Sequence, residues 1–325
     1  MEWYGKRALV TGATGFIGGH LVERLAGLGA EVHAVSRTSG AEPGSKAEGG
    51  SKAETGSKAE GGAKAEGGVF WHRADLRDPD ATAGVVRSVD PHVVFHLASE
   101  VTGVRDPGMV LPTLEANLVS VVNVLTSVAD RPGTRVVLAG SLEEPRPGEG
   151  APSSPYAVAK WAAGGYAEMF HRLWGVQVSS LRIAMVYGPG QRDTSKLLPY
   201  VTLSLLRGER PSLTSGTRLL DWVYVDDVVE AFVAAGASGR AAGHSLEIGS
   251  GTGTSIRETV ELVERLTGRA AGARYGAISD RPLDSARIAD PAQARDVLGW
   301  RPRVGLEEGL RRTIAWFAGR QGLIR

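Results

Sequence analysis

Gly12, Gly15 and Gly18 stand three residues apart, between a short apolar run and an amphipathic pattern, and they constrain the fold more than anything else in the chain. The run Arg7–Thr11 (RALVT) reads as a strand. From residue 16 to 28 the pattern is helical, with Ile17, Leu21, Val22 and Leu25 on one face and a stop near Gly29. Glycines between a strand and a helix allow a tight turn and bring the backbone close to a pyrophosphate, whose charge sits at the helix N-terminus. In that context the spacing points to a dinucleotide turn, with Gly12, Gly15, Phe16, Ile17 and Gly18 as its contact residues. A second glycine-rich stretch, residues 249–253, leads into a helix with the capping-box form Ser255-x-x-Glu258. No strand-ordered unit follows it, so it reads as a turn.

Strands and helices alternate beyond the first turn. Residues 31–35, 69–73, 93–98, 135–139 and 178–186 read as strands. Helices are predicted from about Pro79, over 112–128 and over Pro155–Trp174. This is the signature of an α/β fold, a Rossmann-type doubly wound parallel sheet covered on both faces. It predicts a nucleotide-binding domain over residues 1–187 and a smaller, mainly substrate-binding lobe over 188–325, part of it returning to the sheet. Within the first domain, residues 41–68 depart from globular composition. Residues 45–68 are four six-residue repeats (SKAEGG, SKAETG, SKAEGG, AKAEGG) without large apolar side chains, and they read as a flexible surface insertion.

Composition closes several other routes. There is no cysteine, which excludes thiol catalysis, disulfides and cysteine-bound metals. Lys plus Arg is 37 against 36 Asp plus Glu, so no basic surplus suits nucleic acid or an anionic membrane. No apolar run approaches the roughly 18 residues of a membrane span, and no signal-peptide layout is expected, so the expectation is a cytoplasmic protein. His92 and His96 have no third ligand nearby in sequence, and no metal is expected.

Tyr156 and Lys160 are four apart, which puts both on one face of a helix. An ammonium beside a phenol favours the phenolate, so the tyrosine pKa is expected to fall toward neutrality and to suit proton exchange at a carbonyl or carbinol. Ser141, fifteen residues earlier at the end of an apolar run, can hydrogen-bond the same oxygen.

Taken together, the chain resembles the extended short-chain dehydrogenase/reductases, the nucleotide-sugar epimerase/dehydratase group. The resemblance rests on the glycine turn, Arg73-Ala-Asp75-Leu76, His96-Leu-Ala98, Asn117, Ser141, Tyr156-xxx-Lys160 and Leu181-Arg182 with residues 186–191. Asp221-Trp-Val-Tyr-Val-Asp226-Asp227 and Leu298-Gly299-Trp300-Arg-Pro302 complete it. It implies a nicotinamide dinucleotide, with Asp75 and Leu76 near the adenine and Leu97, Ala98 and Ser99 along the cofactor. It implies Ser141, Tyr156 and Lys160 as the catalytic set and a nucleoside-diphosphate sugar as substrate. Arg218 and Arg281 would lie on the sugar's pyrophosphate, and two helices would pair in a homodimer.

The departures from that pattern narrow the reading. Met185 replaces the usual Asn, and Leu220 stands where an Arg is common. The 4,6-dehydratases carry an Asp-Glu pair after the Ser/Thr; here the positions are Leu142 and Glu143, so Glu143 survives as a base and the acid is missing. At the tip of the second strand, Ser36 and Arg37 suit a 2′-phosphate and no carboxylate repels one, so NADP(H) is preferred and NAD(H) is the alternative. The preferred activity is reduction of a 4-keto hexose on its nucleotide. The second reading is an NAD-retaining 4-epimerase or a dehydratase, and a non-catalytic cofactor-binding protein comes last.

Overall fold

In the computed structural model, which describes residues 2–37, 63–64, 68–146, 148, 150–269 and 272–320, Arg7–Thr11 forms β1 in the interior of the sheet. Its last four residues are buried, as a strand covered on both faces requires. Helix α1 (Phe16–Gly27) buries Gly18, Leu21, Val22 and Leu25, and β2 (Glu31–Ser36) returns parallel to β1. β3 (Ala63–Lys64) is antiparallel to β4 (Val69–Arg73), which runs parallel to β2. The carboxylate of Asp78 accepts the amides of Asp80 and Ala81 and starts α2 (Pro79–Val89), with Pro79 in the first helical position. β5 (Val93–His96) lies on the other side of β1. A 3₁₀ turn, Pro107–Met109, leads into α3 (Val110–Leu114), a π-helical turn over Glu115–Val119 and α4 (Ser120–Val128). β6 (Arg135–Ser141), α5 (Pro155–Trp174) and β7 (Gln177–Ile183) follow, α5 being capped by the Ser154 hydroxyl and ended by Gly175 at φ +67°.

The remaining elements are β8 (Met185–Tyr187), α6 (Leu197–Leu206), β9 (Leu219–Tyr224), α7 (Val225–Ala237), β10 (Ser245–Ile248), β11 (Gly253–Ser255), α8 (Ile256–Thr267), α9 (Ala292–Leu298) and α10 (Leu306–Ala318). The large sheet has the order β10-β7-β6-β5-β1-β2-β4-β3, and β11-β9-β8 form a small one. Around β1 the strands β4, β2, β5 and β6 run parallel, so the doubly wound Rossmann-type architecture is present. The chain divides into two compact units, Met1–Arg182 with Val229–Leu246, and Ile183–Val228 with Glu247–Arg325. In the first, Leu9, Val94, Val136, Leu125 and Phe170 belong to one apolar core. In the second, Tyr187 packs edge-on against Trp222 and Tyr224, and Gly309 of α10 lets the helix approach, since a Cβ there would lie 2.1 Å from the Tyr187 hydroxyl.

Several boundaries differ from expectation, each for a local reason. β5 ends at His96 rather than at residue 98, because the amides of Leu97 and Ala98 turn to the Thr11 hydroxyl, both at 3.1 Å. The strand expected over 178–186 breaks at Ala184 into β7 and β8, and the N-terminal segment of the first unit runs to Arg182. The helix expected over 112–128 is a longer helical run, Pro107–Val128, interrupted by the π turn. Contrary to the sequence expectation, this run is long and apolar enough to pass for a membrane span, yet one face of it buries Thr113, Asn117 and Ser120. Of the segment 41–68 expected to be a flexible insertion, Ala63 and Lys64 pair with Trp71 and Phe70 as a short strand. The rest of it, Gly68 apart, lies outside the described residues.

Candidate active site

The glycine turn is built so that side chains are excluded from it. Gly12 sits at φ +66°, and a Cβ there would come within 2.6 Å of the Leu97 carbonyl carbon. A Cβ on Gly18 would lie 2.1 Å from the Gly12 oxygen. Gly15 is the N-cap of α1 and supplies no capping side chain, while Phe16 and Ile17 make the first helical turn. The helix therefore presents its leading amides and the positive end of its dipole at a narrow glycine cradle, which fits a dinucleotide pyrophosphate.

At the tip of β2, Ser36 is half-buried and Arg37 exposed. The half-buried Asp75 follows β4; Arg77 holds it with Nε at 2.9 Å and Nη2 at 2.6 Å. Those hydrogen bonds, with the charges of Arg77 and Arg37, keep the Asp75 carboxyl below the usual range. Arg77, also paired with Glu115, was not singled out by sequence reasoning, because nothing in its spacing distinguishes it. Leu76 is buried beside Asp75, and Leu97, Ala98 and Ser99 line the end of β5. The Ser99 hydroxyl donates to Asn117 Oδ1 at 2.8 Å; Asn117 is fully buried in the π turn, a type of irregularity found frequently at functional sites.

Behind these residues lies a closed polar network. His96, fully buried, contacts Thr11 Oγ1 at 3.0 Å and Ser120 Oγ at 3.2 Å. The Ser120 hydroxyl donates to the Ala116 carbonyl at 2.6 Å, which assigns the ring proton to Nε2 and makes Nδ1 an acceptor. Burial, reinforced by the Lys160 charge, pushes His96 down to about 3, so it is neutral. His92 is elsewhere, its Nδ1 accepting the Arg7 amide at 3.1 Å.

Ser141 ends β6, and Tyr156 and Lys160 occupy the first turns of α5. The fold brings the three together. The Ser141 hydroxyl is hydrogen-bonded to the Tyr156 phenol. Lys160 Nζ donates to the Ala139 carbonyl at 2.8 Å and lies 5.8 Å from the centre of the Tyr156 ring. The expected fall of the tyrosine pKa does not occur in the protein alone. Burial pushes Tyr156 up to about 12, with Glu144 and Glu143 adding to the rise and the Ser141 hydrogen bond opposing it. Burial also pushes Lys160 down to about 8, against the Glu144 charge. Tyr156 thus holds its proton as a donor, and Lys160 is close to losing its own near neutral pH.

Glu143, half-buried, donates its backbone N–H to the Ser141 hydroxyl at 3.1 Å. Leu142, at the position where the dehydratase pattern has an acid, is buried at 3% exposure. Two residues to which sequence reasoning gave no role flank the turn: Glu144, buried, and Arg182, whose Nε lies 3.4 Å from Glu144 Oε2.

In the second unit, Arg218 Nη1 pairs with Asp284 at 2.7 Å and Arg281 is exposed three residues before that aspartate. Leu283, between them, is exposed at φ +63°. The turn at residues 249–253 wraps the buried Asp221, which accepts the amides of Ser250 and Gly251 and the Ser250 hydroxyl.

Residues 8–249 match the model of the NAD dependent epimerase/dehydratase family. A UDP-glucose 4-epimerase of Mycolicibacterium smegmatis is 32% identical over 328 residues, spanning 96% of this chain and 98% of the relative. A dTDP-glucose 4,6-dehydratase of Streptomyces antibioticus is 30% identical, spanning 95% and 91% of the two chains. The crystal structure of a Thermus thermophilus UDP-glucose 4-epimerase in complex with NAD matches with a TM-score of 0.77 and 29% identity, over 96% of this chain and 99% of that one.

Proposed function

The chain belongs to the NAD-dependent epimerase/dehydratase family, and from that premise we propose that it is an NAD-retaining 4-epimerase of a nucleoside-diphosphate hexose, a UDP-hexose in the first instance. The observation that carries this reading is the composition of the reacting cluster: one phenol that can exchange a proton, one serine to hold the oxygen, and a buried Leu142 where dehydration needs an acid. Bound at the glycine turn, the dinucleotide supplies a hydride acceptor that is restored within each turnover. Tyr156 exchanges the proton of the C4 hydroxyl, Ser141 hydrogen-bonds the same oxygen, and Lys160 carries positive charge at the cofactor ribose. Arg218 and Arg281 are proposed for the diphosphate.

Net reduction with NADPH, the first sequence expectation, gives way on the charge balance at the β2 tip. Arg77 is paired with Asp75 and Glu115, and the Arg37 charge also acts on Asp75, so a carboxylate stands beside the cations that would take a 2′-phosphate. The activities of the relatives, a UDP-glucose 4-epimerase with NAD among them, support the same choice. The exposed apolar residues Leu111 and Leu114 of α3 and Trp161, Tyr166 and Leu173 of α5 suit a second copy of the chain, and a homodimer is proposed.

The test is incubation with UDP-glucose and separately with UDP-galactose, following C4 configuration by proton NMR and the nicotinamide by absorbance at 340 nm. Interconversion without net change in absorbance is expected. Stoichiometric NADPH consumption by a 4-keto sugar, or release of a 4-keto-6-deoxy product, would overturn the reading.

A further inference from the structure

The most unusual group near the reacting cluster is one that the proposed chemistry does not use. Glu144 is 5% exposed, in a turn where an apolar residue would cost nothing in desolvation. Its Oε1 accepts the Ser141 backbone N–H at 2.6 Å, and its own N–H donates to the Ser141 carbonyl at 3.2 Å. Arg182 of β7 donates through Nη2 to the Glu144 carbonyl at 3.0 Å and brings Nε to 3.4 Å from Oε2. Gly140 makes room for the carboxylate, and Gly164 places it beside α5. A Cβ on Gly140 would lie 2.8 Å from Oε1, and one on Gly164, one turn beyond Lys160 on α5, would lie 3.7 Å from Oε2.

We propose that Glu144 is a positioning residue of the reacting cluster: clamped between the Ser141 amide and the Arg182 guanidinium, its carboxylate fixes the Ser141 turn and supplies the anion beside the helix that carries Tyr156 and Lys160. The assignment rests on the reading of Ser141, Tyr156 and Lys160 as the reacting groups. The charged and titratable groups around it are Arg182 from β7, Tyr156 and Lys160 from α5, Glu143 from its own turn, and neutral His96 from β5 next to Lys160. Among these, an anion at Glu144 favours the ammonium of Lys160 and the un-ionised phenol of Tyr156. Both groups then carry their protons, and the hydroxyl of Ser141 keeps its direction.

The chain has seven lysines, so labelling lysine Cε with ¹³C gives few signals, and the Lys160 signal is the one missing in Lys160→Arg. Glu144→Gln keeps the shape and removes the charge. Its Lys160 signal is expected to titrate at least one pH unit below the wild-type midpoint near 8. Turnover of the UDP-hexose should fall about tenfold, with KM within threefold and the kcat profile moved to lower pH, the size of one pKa unit. Because the single variant strands Arg182, the double variant Glu144→Gln/Arg182→Gln is measured beside it, and the same Lys160 shift is expected. A Lys160 midpoint unchanged in a folded variant overturns the proposal, and loss of the fold in both variants assigns Glu144 to stability and overturns it as well. If Lys160 shifts but no UDP-hexose is turned over by wild type, the assignment of Glu144 stands and the epimerase reading fails.

Discussion

Two turns in this chain carry three glycines each and have opposite fates. Residues 12–18 lead into α1, whose N-cap, Gly15, offers no side chain to the first amides. Residues 249–253 precede β11 and then α8, and the chain itself takes their polar groups. Asp221 accepts the amides of Ser250 and Gly251, and Ser255 and Glu258 complete a reciprocal capping box on α8. Glycine content therefore says little about binding. What distinguishes a ligand turn is whether its amides have already found partners within the protein. The open turn nevertheless stands on a closed base, since Thr11 accepts the amides of Leu97 and Ala98 and contacts His96 directly behind it.

The largest effect should come from separating the two jobs done at the open end. Tyr156→Phe removes the phenol that exchanges the proton and leaves the glycine turn intact. Turnover should fall by about 10²–10⁴, while NADH affinity measured by fluorescence titration stays within about twofold. A variant that turns over within a few-fold of wild type would put the reacting group elsewhere.

The turns themselves can be set against each other next. Gly18→Ala drives a methyl to within 2.1 Å of the Gly12 oxygen, so the turn must open. If two charge-assisted contacts of about 1.5 kcal/mol each are lost, NADH affinity falls by about 100-fold. Asp221→Asn, in the closed turn, should leave NADH affinity alone and lower the urea unfolding free energy by about 1–3 kcal/mol, since a carboxylate oxygen that accepts amides is replaced by a donor. Reversal of the two outcomes would mean that the closed turn binds the nucleotide.

The closed base gives a pH test. Folding lowers the pKa of His96 from 6.5 to about 3, so over that range the unfolded chain binds more protons. Stability should then rise with pH between about 3 and 6.5, and be lost as the pH falls through that window, by up to about 1.4 kcal/mol per unit. Urea titrations of wild type and His96→Gln at pH 7, 6 and 5 read this as a steeper wild-type loss. Equal slopes would show that His96 carries a proton in the fold.

These contrasts also separate what a sequence exposes from what it hides. Tyr156 and Lys160 were legible because four residues on one helix fix their common face, and α5 keeps the bounds read from its pattern. The open turn was legible because strand, glycines and helix are contiguous. Glu144 and Arg182 were not, since their pairing joins residues 38 apart and Ser141-Leu-Glu-Glu144 reads equally well as a polar loop. The π turn at Glu115–Val119 was invisible because one widened turn barely disturbs the apolar spacing around it. The Tyr156 pKa runs opposite to the expectation for a related reason: the burial that raises it is tertiary, and the carboxylates of Glu144 and Glu143 add to the rise.

The smallest expected effect concerns the β2 tip, where the open end meets the adenosine ribose. From sequence alone, Ser36 and Arg37 favour a 2′-phosphate, because no carboxylate stands at the strand end. In the fold a carboxylate arrives from elsewhere: Asp75 follows β4, and the Arg37 charge acts on it. Arg77 is held by Asp75 at 2.6 Å and by Glu115 at 3.4 Å, so both carboxylates pair with Arg77 and Asp75 also feels the Arg37 charge. A phosphate entering this set would gain from Arg37 about what it loses to Asp75, at a surface where such pairs are each worth about 0–1 kcal/mol. NADH and NADPH should therefore bind within about fivefold of each other, and Arg37→Ala should change NADH affinity by less than about twofold. Asp75→Asn sharpens the test, because it removes the carboxylate on which Arg37 and Arg77 both act and should tilt the preference toward NADPH. Titration of both cofactors into the three proteins decides it; a wild-type preference for NADPH beyond tenfold would show that Arg37 escapes Asp75 and would restore the reductase reading.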